Sequence, residues 1–567
     1  MPDFAAWLSA LIVDAGAAIA SAFGATGKLA TVISWAAQAV IVGVPLYFTA
    51  RAMMPKVDMT GLLGRGTSHR NPITSRKIIY GRAKVGGPIL YMAEAEYSQS
   101  GTPGMDRGNL YVLIGLAGHQ CAEIETVYFN DDVLTINSTS GVVTAPSRYY
   151  PNSSSRATIY TGLVGTTTQY IGTTWGNNTD LDNATDKFKG ICCLQVILGY
   201  DQEVWVGGIP AISAIVKGND QLYDPRDAST GWSENPAIIL RDYLTNTVYG
   251  MGISASMVDD TLISAAANVC DETVSLDGGG TQKRYTCNGT LDTAHNFQQN
   301  IETILNSMSG FMVFSNGKFK VYAGEYRTPT VTITDDDLAG PVNVIGKPSK
   351  REAINIVRGV AIGAWSNYQP TSYPEVRDSA AITADGAELV SQLPLPMTDD
   401  STMAQRLAKI LLKRSRQQMT LNLSLKLTKF ALEPGDTCSV TLESLGIKNK
   451  VFEIMQWTFG TSGSGEGLAL TVDVQLRETE SAVYDWSTSE QNDPVAVPQV
   501  IITNPTSVDA PAFALTQTQG LSEDGTIIDQ VEVNITDPTN NKFVYEYAIE
   551  HKESTASNYE TTSVLRE

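Results

Sequence analysis

Residues 76 to 135 hold two β-forming runs punctuated by glycine, RKIIYGRAKVGGPILYMAEAE and LYVLIGLAGHQCAEIETVYFNDDVL. Apolar and aromatic residues fill the strand positions (Ile78, Tyr80, Val85, Ile89 and Tyr91, then Tyr111, Leu113, Val127 and Phe129). Gly81, Gly86, Gly87 and Gly118 allow tight or positive-φ geometry between them. A chain built this way makes strands and hairpins at this point. The pattern limits the fold and names no activity.

Alternation returns further along. LNLSLKLT sets Leu421, Leu423, Leu425 and Leu427 against Asn422, Ser424, Lys426 and Thr428, and LALTVDVQL repeats the pattern with Leu468, Leu470, Val472, Val474 and Leu476. One face of each strand is therefore buried and the other wet. With Pro434-Gly435-Asp436 as a turn, the stretch from about Gly346 to Arg477 reads as strands of a small barrel or sandwich around one helix. The middle of the chain is mixed. Asn235 before Pro236 starts a helix over AIILRDYL, because the amide side chain caps the first turn and proline is tolerated there. A second helix is expected from about Asp259 to Asp271. A third, from Asp292 to Met308, places Phe297, Ile301, Ile304 and Leu305 on one face and stops at Gly310. It feeds FMVFSNGKFKVYAG, whose Asn316-Gly317 pair is a strong signal for a two-residue hairpin turn. The fold class is thus β-rich α+β. For 567 residues, a prior of about 150 per domain gives roughly three to five domains.

The helix expected over Ser401 to Gln417 carries Arg406, Lys409, Lys413 and Arg416 at spacings of three and four, which puts them on one face, while Leu407, Ile410 and Leu411 point elsewhere. Such a stripe is a solvated helix face, a contact with an acidic neighbouring subunit, or a contact with DNA. The formal net charge of −20 and a pI near 4.7 argue against a tight sequence-independent grip on DNA, which needs clustered Lys and Arg to replace counterions. Six cysteines in a chain of this length form no disulfide scaffold. Cys270 and Cys287 bracket the glycines Gly278 to Gly280 and could be bridged, the alternative being free buried thiols.

Catalytic sets are sparse. His119, Cys121 and Glu123 alternate as on one strand face, but three such ligands seldom converge on a tetrahedral ion, and a polar strand edge is the reading they favour. There is no His-Glu-x-x-His, Walker-type loop or Gly-x-Ser-x-Gly elbow. Cys192 or Cys193 with His295 lacks local support as a peptidase pair, and Asp335, Asp336 and Asp337 sit in an apparent turn, where acids serve turn chemistry and solubility. No cofactor, metal site or enzymatic activity is expected.

Both ends differ from the body. Leu29 to Ala50 is uncharged and long enough to span a bilayer, and it follows an Ala-rich apolar stretch from Ala5 to Phe23 broken by Asp14. A secretory signal would want a basic start, and MPDF supplies an acid. A membrane anchor is one reading. The richness in small residues favours another, an apolar helical hairpin over residues 1–54 that turns near Gly24 to Gly27 and self-associates. Ala157 to Thr179 is an uncharged, Thr-rich insertion, read as an ordinary β excursion or a hairpin against a neighbouring protein. Past Trp486, a polar linker, QNDPVAVPQ, leads into strand-like VIITNPTSV, TIIDQVEVNIT and FVYEYAIEHK.

The order of several motifs carries a resemblance. YGRAKVGGPI, YVLIGLAGHQ and YFNDD are followed by LYDPR (Leu222 to Arg226), WSENPAIILRDYLTNTVYGMG (Trp232 to Gly252), AAANVCDE (Ala265 to Glu272), RYTCNG (Arg284 to Gly289), ILNSMSG (Ile304 to Gly310) and VYDW (Val483 to Trp486). From roughly residue 70 to 490 the chain resembles the tip attachment, or central tail hub, proteins of lambda-like long-tailed bacteriophages. The resemblance implies tube-like β-barrels continuing the tail channel, one of them at 331–490, a first β-rich hub domain at 55–230 with the insertion near 145–185, and an α/β insertion domain at 231–330. The segment 491–567 resembles a fibronectin type III module that ends before its last strands. The implied protein is a homotrimer at the virion tail tip, assembled in the host cytoplasm. Its partners would be distal tail, tape measure and tail fibre proteins, a bacterial surface receptor and passing phage DNA, with the host membrane a further contact through residues 1–54. A membrane-anchored adhesin and a tail-associated wall hydrolase are the alternative classes.

Overall fold

The computed structural model describes residues 74–95, 108–151, 155–162, 164–165, 186, 188–205, 208–346, 353–462, 469–494, 511–522, 524–536, 546–552 and 560–565. The apolar hairpin at 1–54, the linker strand at 500–508, Leu468 and most of the Thr-rich insertion lie outside them. The chain divides into two units, residues 1–496 and 497–567.

In the first unit, the glycine-broken runs form two four-stranded sheets. One has the order Ile89–Ala95, Asn109–Ala117, Cys192–Gly199, Ala157–Tyr160, and the other Arg82–Val85, Ile212–Lys217, Glu123–Phe129, Asp132–Val133. Both supply one core: Val112, Ile114, Leu194 and Val196 come from the first sheet, and Val85, Val127, Phe129 and Val216 from the second. Alternate residues of half-buried strands thus meet between two faces, a sandwich arrangement. Gly87 is required by close approach, since a Cβ there would fall 1.7 Å from the Gly115 carbonyl oxygen. Gly81 has φ +58° against the Cys287 carbonyl.

A strand at Lys77–Tyr80 pairs antiparallel with Gly289–Asp292 and so joins the sandwich to a helical layer. That layer contains α1 (Pro236–Thr245), α2 (Asp260–Asp271) and α3 (Phe297–Asn306). Asn235 caps α1 by accepting from the Ala237 N–H, with Pro236 at the first helical position, and Asp259 caps α2. The third helix starts five residues later than its periodicity suggests. Asp292 is held in the strand pair opposite Lys77, and a capping box between Asn296 and Gln299 sets the new start. The hairpin Phe311–Ser315/Lys318–Tyr322 turns at Asn316 and Gly317 with φ of 52° and 76°.

A six-stranded sheet follows, in the order Val331–Thr334, Thr437–Leu442, Ile447–Ser462, Ala469–Glu478, Thr420–Lys426, Asn343–Ile345. Its two edge strands are consecutive in the chain. Laid flat, six strands would hold those edges roughly 24 Å apart. The short connection between them contains a 3-10 turn at Asp335–Asp337 and a bridge from Leu338 to Leu425, so the sheet is strongly curled. Leu421, Leu423, Leu425, Val472, Val474 and Leu476 fill its concave side together with Phe452 and Ile454. Leu427 departs from the expected alternation because it opens a 3-10 turn and is 43% exposed.

Two further helices complete the unit, the short α4 (Ser379–Asp385) and the longer α5 (Ser401–Arg416). α5, expected among the strands of the sheet, instead contributes Met403, Ala404, Leu407, Ala408, Ile410 and Leu412 to the core of α1 to α3.

In the second unit, Ala512–Leu521 pairs with Ile527–Thr536 and Glu546–His551 with Glu560–Leu565, as two separate two-stranded ladders. No described residue of this unit is buried, and Phe513, Leu515, Leu521, Ile527 and Val531 are each more than 60% exposed. The described residues therefore make hairpins without the shared core that defines a sandwich.

Candidate functional site

α5 begins at Asp400, whose carboxylate accepts from the Met403 N–H at 2.7 Å, and its first ten residues are all buried. The basic residues on it are engaged within the chain. Arg406 Nη2 donates to the Arg284 carbonyl at 2.9 Å. Lys409 Nζ donates to the Asp485 carbonyl and to Glu490 Oε2, each at 2.7 Å. Lys413 Nζ lies 2.9 Å from Asp378 Oδ2, and Arg416 binds both carboxylate oxygens of Asp385 at 2.8 and 3.3 Å. Arg406 and Lys409 are buried, so for them the solvated-face reading does not hold, whereas the Lys413 side chain stays 41% exposed beside its partner. The stripe ties α5 to the 284–285 segment, the 485–490 segment and the two ends of α4.

From the last turn of α5, Arg414 reaches Glu453 of the curled sheet at 3.4 Å, and its carbonyl accepts from Arg477 Nη2 at 2.6 Å. Cations at a helix C-terminus also complement the macrodipole. Asp378 caps α4 by accepting from the Ala381 N–H, and its hydrogen bond from Lys413 holds its carboxyl below the usual range. α5 is therefore a strut between helical core, sheet and carboxy-terminal strap.

Cys270 and Cys287, weighed as a bridge, are both free buried thiols, pushed up in pKa by burial. Cys270 Sγ lies 4.0 Å from Met308 Sδ within the helical core. His119 and Cys121 do not form a polar strand edge. They sit in the bend between two strands, both buried, and Glu123 begins the next strand. His119 Nε2 accepts from the Ile79 N–H at 2.8 Å, and its Nδ1 lies 2.6 Å from the Gln120 carbonyl, which assigns the proton to Nδ1. Cys192 and Cys193 are buried in a strand, and Asp335 to Asp337 form the expected turn, with Asp335 accepting from the Glu443 N–H and Asp337 paired with Lys429. Among the described residues, no group of three His, Cys, Asp or Glu side chains is placed to hold a metal ion.

One cluster escaped the sequence reading. Asp242 of α1 accepts from Tyr80 Oη at 2.6 Å, Tyr249 Oη at 3.2 Å and Asn219 Nδ2 at 3.2 Å. Burial raises the pKa of the carboxyl, and it also raises Tyr80 and lowers the neighbouring His119. This knot of neutral donors fastens the sandwich to the helical layer. Tyr80, Asp242 and Tyr249 all lie in segments that carry the motif order, but there they read as strand, helix and loop positions.

These elements correspond to sequences found in virus tails. Residues 297–457, from α3 into the curled sheet, match the family model described as "Putative phage tail protein". The baseplate hub protein pb3 of Escherichia phage T5 is 24% identical over 263 residues, which cover 43% of this chain and 28% of that protein. Tip attachment protein J of Escherichia phage SECphi27 is 26% identical over 162 residues, covering 25% of this chain and 13% of the relative. A solved chain from the virion of a native gene transfer agent particle aligns over 77% of this chain and 90% of its own length, at 15% identity and a TM-score of 0.49.

Over residues 297–457 the chain is similar to phage tail proteins. The named relatives are a baseplate hub protein and a tip attachment protein of Escherichia phages. The alignments span less than a third of the length of either relative.

Proposed function

We propose that this chain is the central structural hub of a bacteriophage tail tip. It would close the end of the tail channel, link it to receptor-binding parts, and open the way for DNA on host attachment. The observation that carries this reading is the tail-family match of residues 297–457 together with the hub and tip attachment relatives. The curled sheet and its strut helix offer a rigid body for such a position, and the β-rich architecture suits packing of copies around an axis. In a homotrimer the net charge of −20 per chain is tripled, which suits a wall that DNA must pass without sticking. Distal tail proteins, tape measure protein and fibres are the partners this position implies, and the apolar segment 1–54 would lie in or near the lumen. The role is mechanical and not enzymatic: receptor engagement shifts the hub between closed and open packings through contacts that differ in the two states.

Light scattering of the chain lacking residues 1–54, without detergent, tests the assembly. A threefold mass supports the hub and places its contacts in the β-rich body. A stable monomer, with the full chain extracted only by detergent, favours an anchored adhesin instead.

A further inference from the structure

The sandwich meets the start of α5 at a joint held by an amide side chain. Asn288 Oδ1 accepts from the Arg82 N–H at 2.8 Å, its Nδ2 donates to Asp399 Oδ1 at 3.0 Å, and its backbone N–H donates to the Met397 carbonyl at 2.8 Å. Arg82 begins the edge strand Arg82–Val85 of the second sheet, and Asp399 directly precedes Asp400, the cap of α5. The backbones approach closely here: a Cβ on Gly363 would fall 1.9 Å from the Asp399 carbonyl oxygen, and one on Gly289 2.9 Å from the Pro396 carbonyl oxygen. Asp399 is half-buried and lines a hollow of about 20 Å3 together with Arg82, Lys84, Asn288 and Tyr368. Neither cation there supplies it with a counter-charge. Arg82 pairs with Glu125 at 2.9 Å, and the Lys84 ammonium lies 3.9 Å from the centre of the Tyr128 ring, in the field of Asp131. Among the described residues no cation forms an ion pair with Asp399, and the charged groups that act on it are the carboxylates of Glu234 and Asp400, with the Tyr368 phenol in its field. Burial first, and then those two charges, push its carboxyl up to about 6 against the opposing bond from Asn288.

We propose that Asp399 is a pH-sensitive latch: uncharged in mild acid, it lets Asn288 fasten the sandwich edge to the start of α5, and as a carboxylate at neutral pH it loosens that joint. The protonated group keeps Oδ1 as the acceptor for Asn288 and is freed of repulsion from Glu234 and Asp400. Its folded-state carboxyl holds the proton to higher pH than an unfolded one, near 3.9. The stabilising contribution of the protonated form is therefore complete below the unfolded value and is lost as pH rises through about 6. At neutral pH the joint opens more readily than in mild acid.

The test compares the full-length chain with Asp399→Asn, which keeps the shape and the acceptor oxygen and removes the charge. Hydrogen exchange is followed by mass spectrometry at pH 7.5, 6 and 4.5, corrected for the intrinsic exchange rate, on peptides covering residues 81–85 and 286–290. At pH 7.5 the variant is expected to protect both peptides more than the natural chain does, by roughly ten- to a hundredfold. The advantage is expected to shrink continuously as pH falls, to a few-fold at pH 4.5. A peptide from the curled sheet, residues 470–476, serves as the reference and is expected to show a smaller change. Equal protection of the joint in both chains at pH 7.5 overturns the proposal. So does a gain that is the same at all three pH values, or a loss of protection in Asp399→Asn.

Discussion

A buried imidazole that accepts a backbone hydrogen bond through one nitrogen and donates through the other must stay neutral, and His119 is in that position between Ile79 and Gln120. Protonation would place a donor against the Ile79 N–H. Burial lowers the folded-state pKa of His119 below its ordinary value of about 6.5. Its contribution to stability is therefore complete above the unfolded-state value and is lost as pH falls below it. The expected outcome is a Tm that declines from pH 7 to pH 5 more steeply in the natural chain than in His119→Gln, whose amide oxygen can accept the same bond without titrating. Equal slopes would contradict this role. The residue types at this junction were visible in the sequence, but their roles were not. Tyr80 and Asp242 are separated by 162 positions, and only tertiary closure makes them partners. The same holds for the cysteines. Glycines between Cys270 and Cys287 are compatible with a bridge or with two free thiols, and the packed helical core holds the thiols free.

Among elements, local rules were the legible part. The cap at Asn235, the Asn316-Gly317 turn and the leucine alternation of Thr420–Lys426 depend on neighbours within a few residues, and the structure has each of them. The start of α3 was misjudged because strand pairing at Asp292 overrides helical periodicity. α5 shows the same limit more strongly. The partners of its basic residues lie far away in the chain, Asp378 and Asp385 before the helix, and Glu490 and the Asp485 carbonyl after it, which left a solvated face among the open readings. Lys409→Met tests the difference, since it keeps the aliphatic stem and removes the bonds to Asp485 and Glu490. Urea unfolding should show a loss of about 1–3 kcal/mol, against under ~0.5 kcal/mol for a solvated lysine. Insensitivity to the substitution would return the stripe to the surface.

The whole first unit is organised around three sizeable cores, in the sandwich, the helical layer and the curled sheet, with α5 and the Asp242 knot binding them together. The second unit instead presents its large apolar side chains to solvent from separate hairpins. A β-rich architecture was readable from the glycine-broken runs and the leucine alternation. Core membership was not, because α5 lies between strands in sequence and among helices in space. The tail-family match and the resemblance that runs through the motif order concern this same first unit. Gold-labelled antibody raised against residues 74–496 and applied to intact virions tests the hub position most directly. The account predicts label at the end of the tail distal to the capsid. Label distributed along the tube, or a chain absent from purified virions, would contradict it.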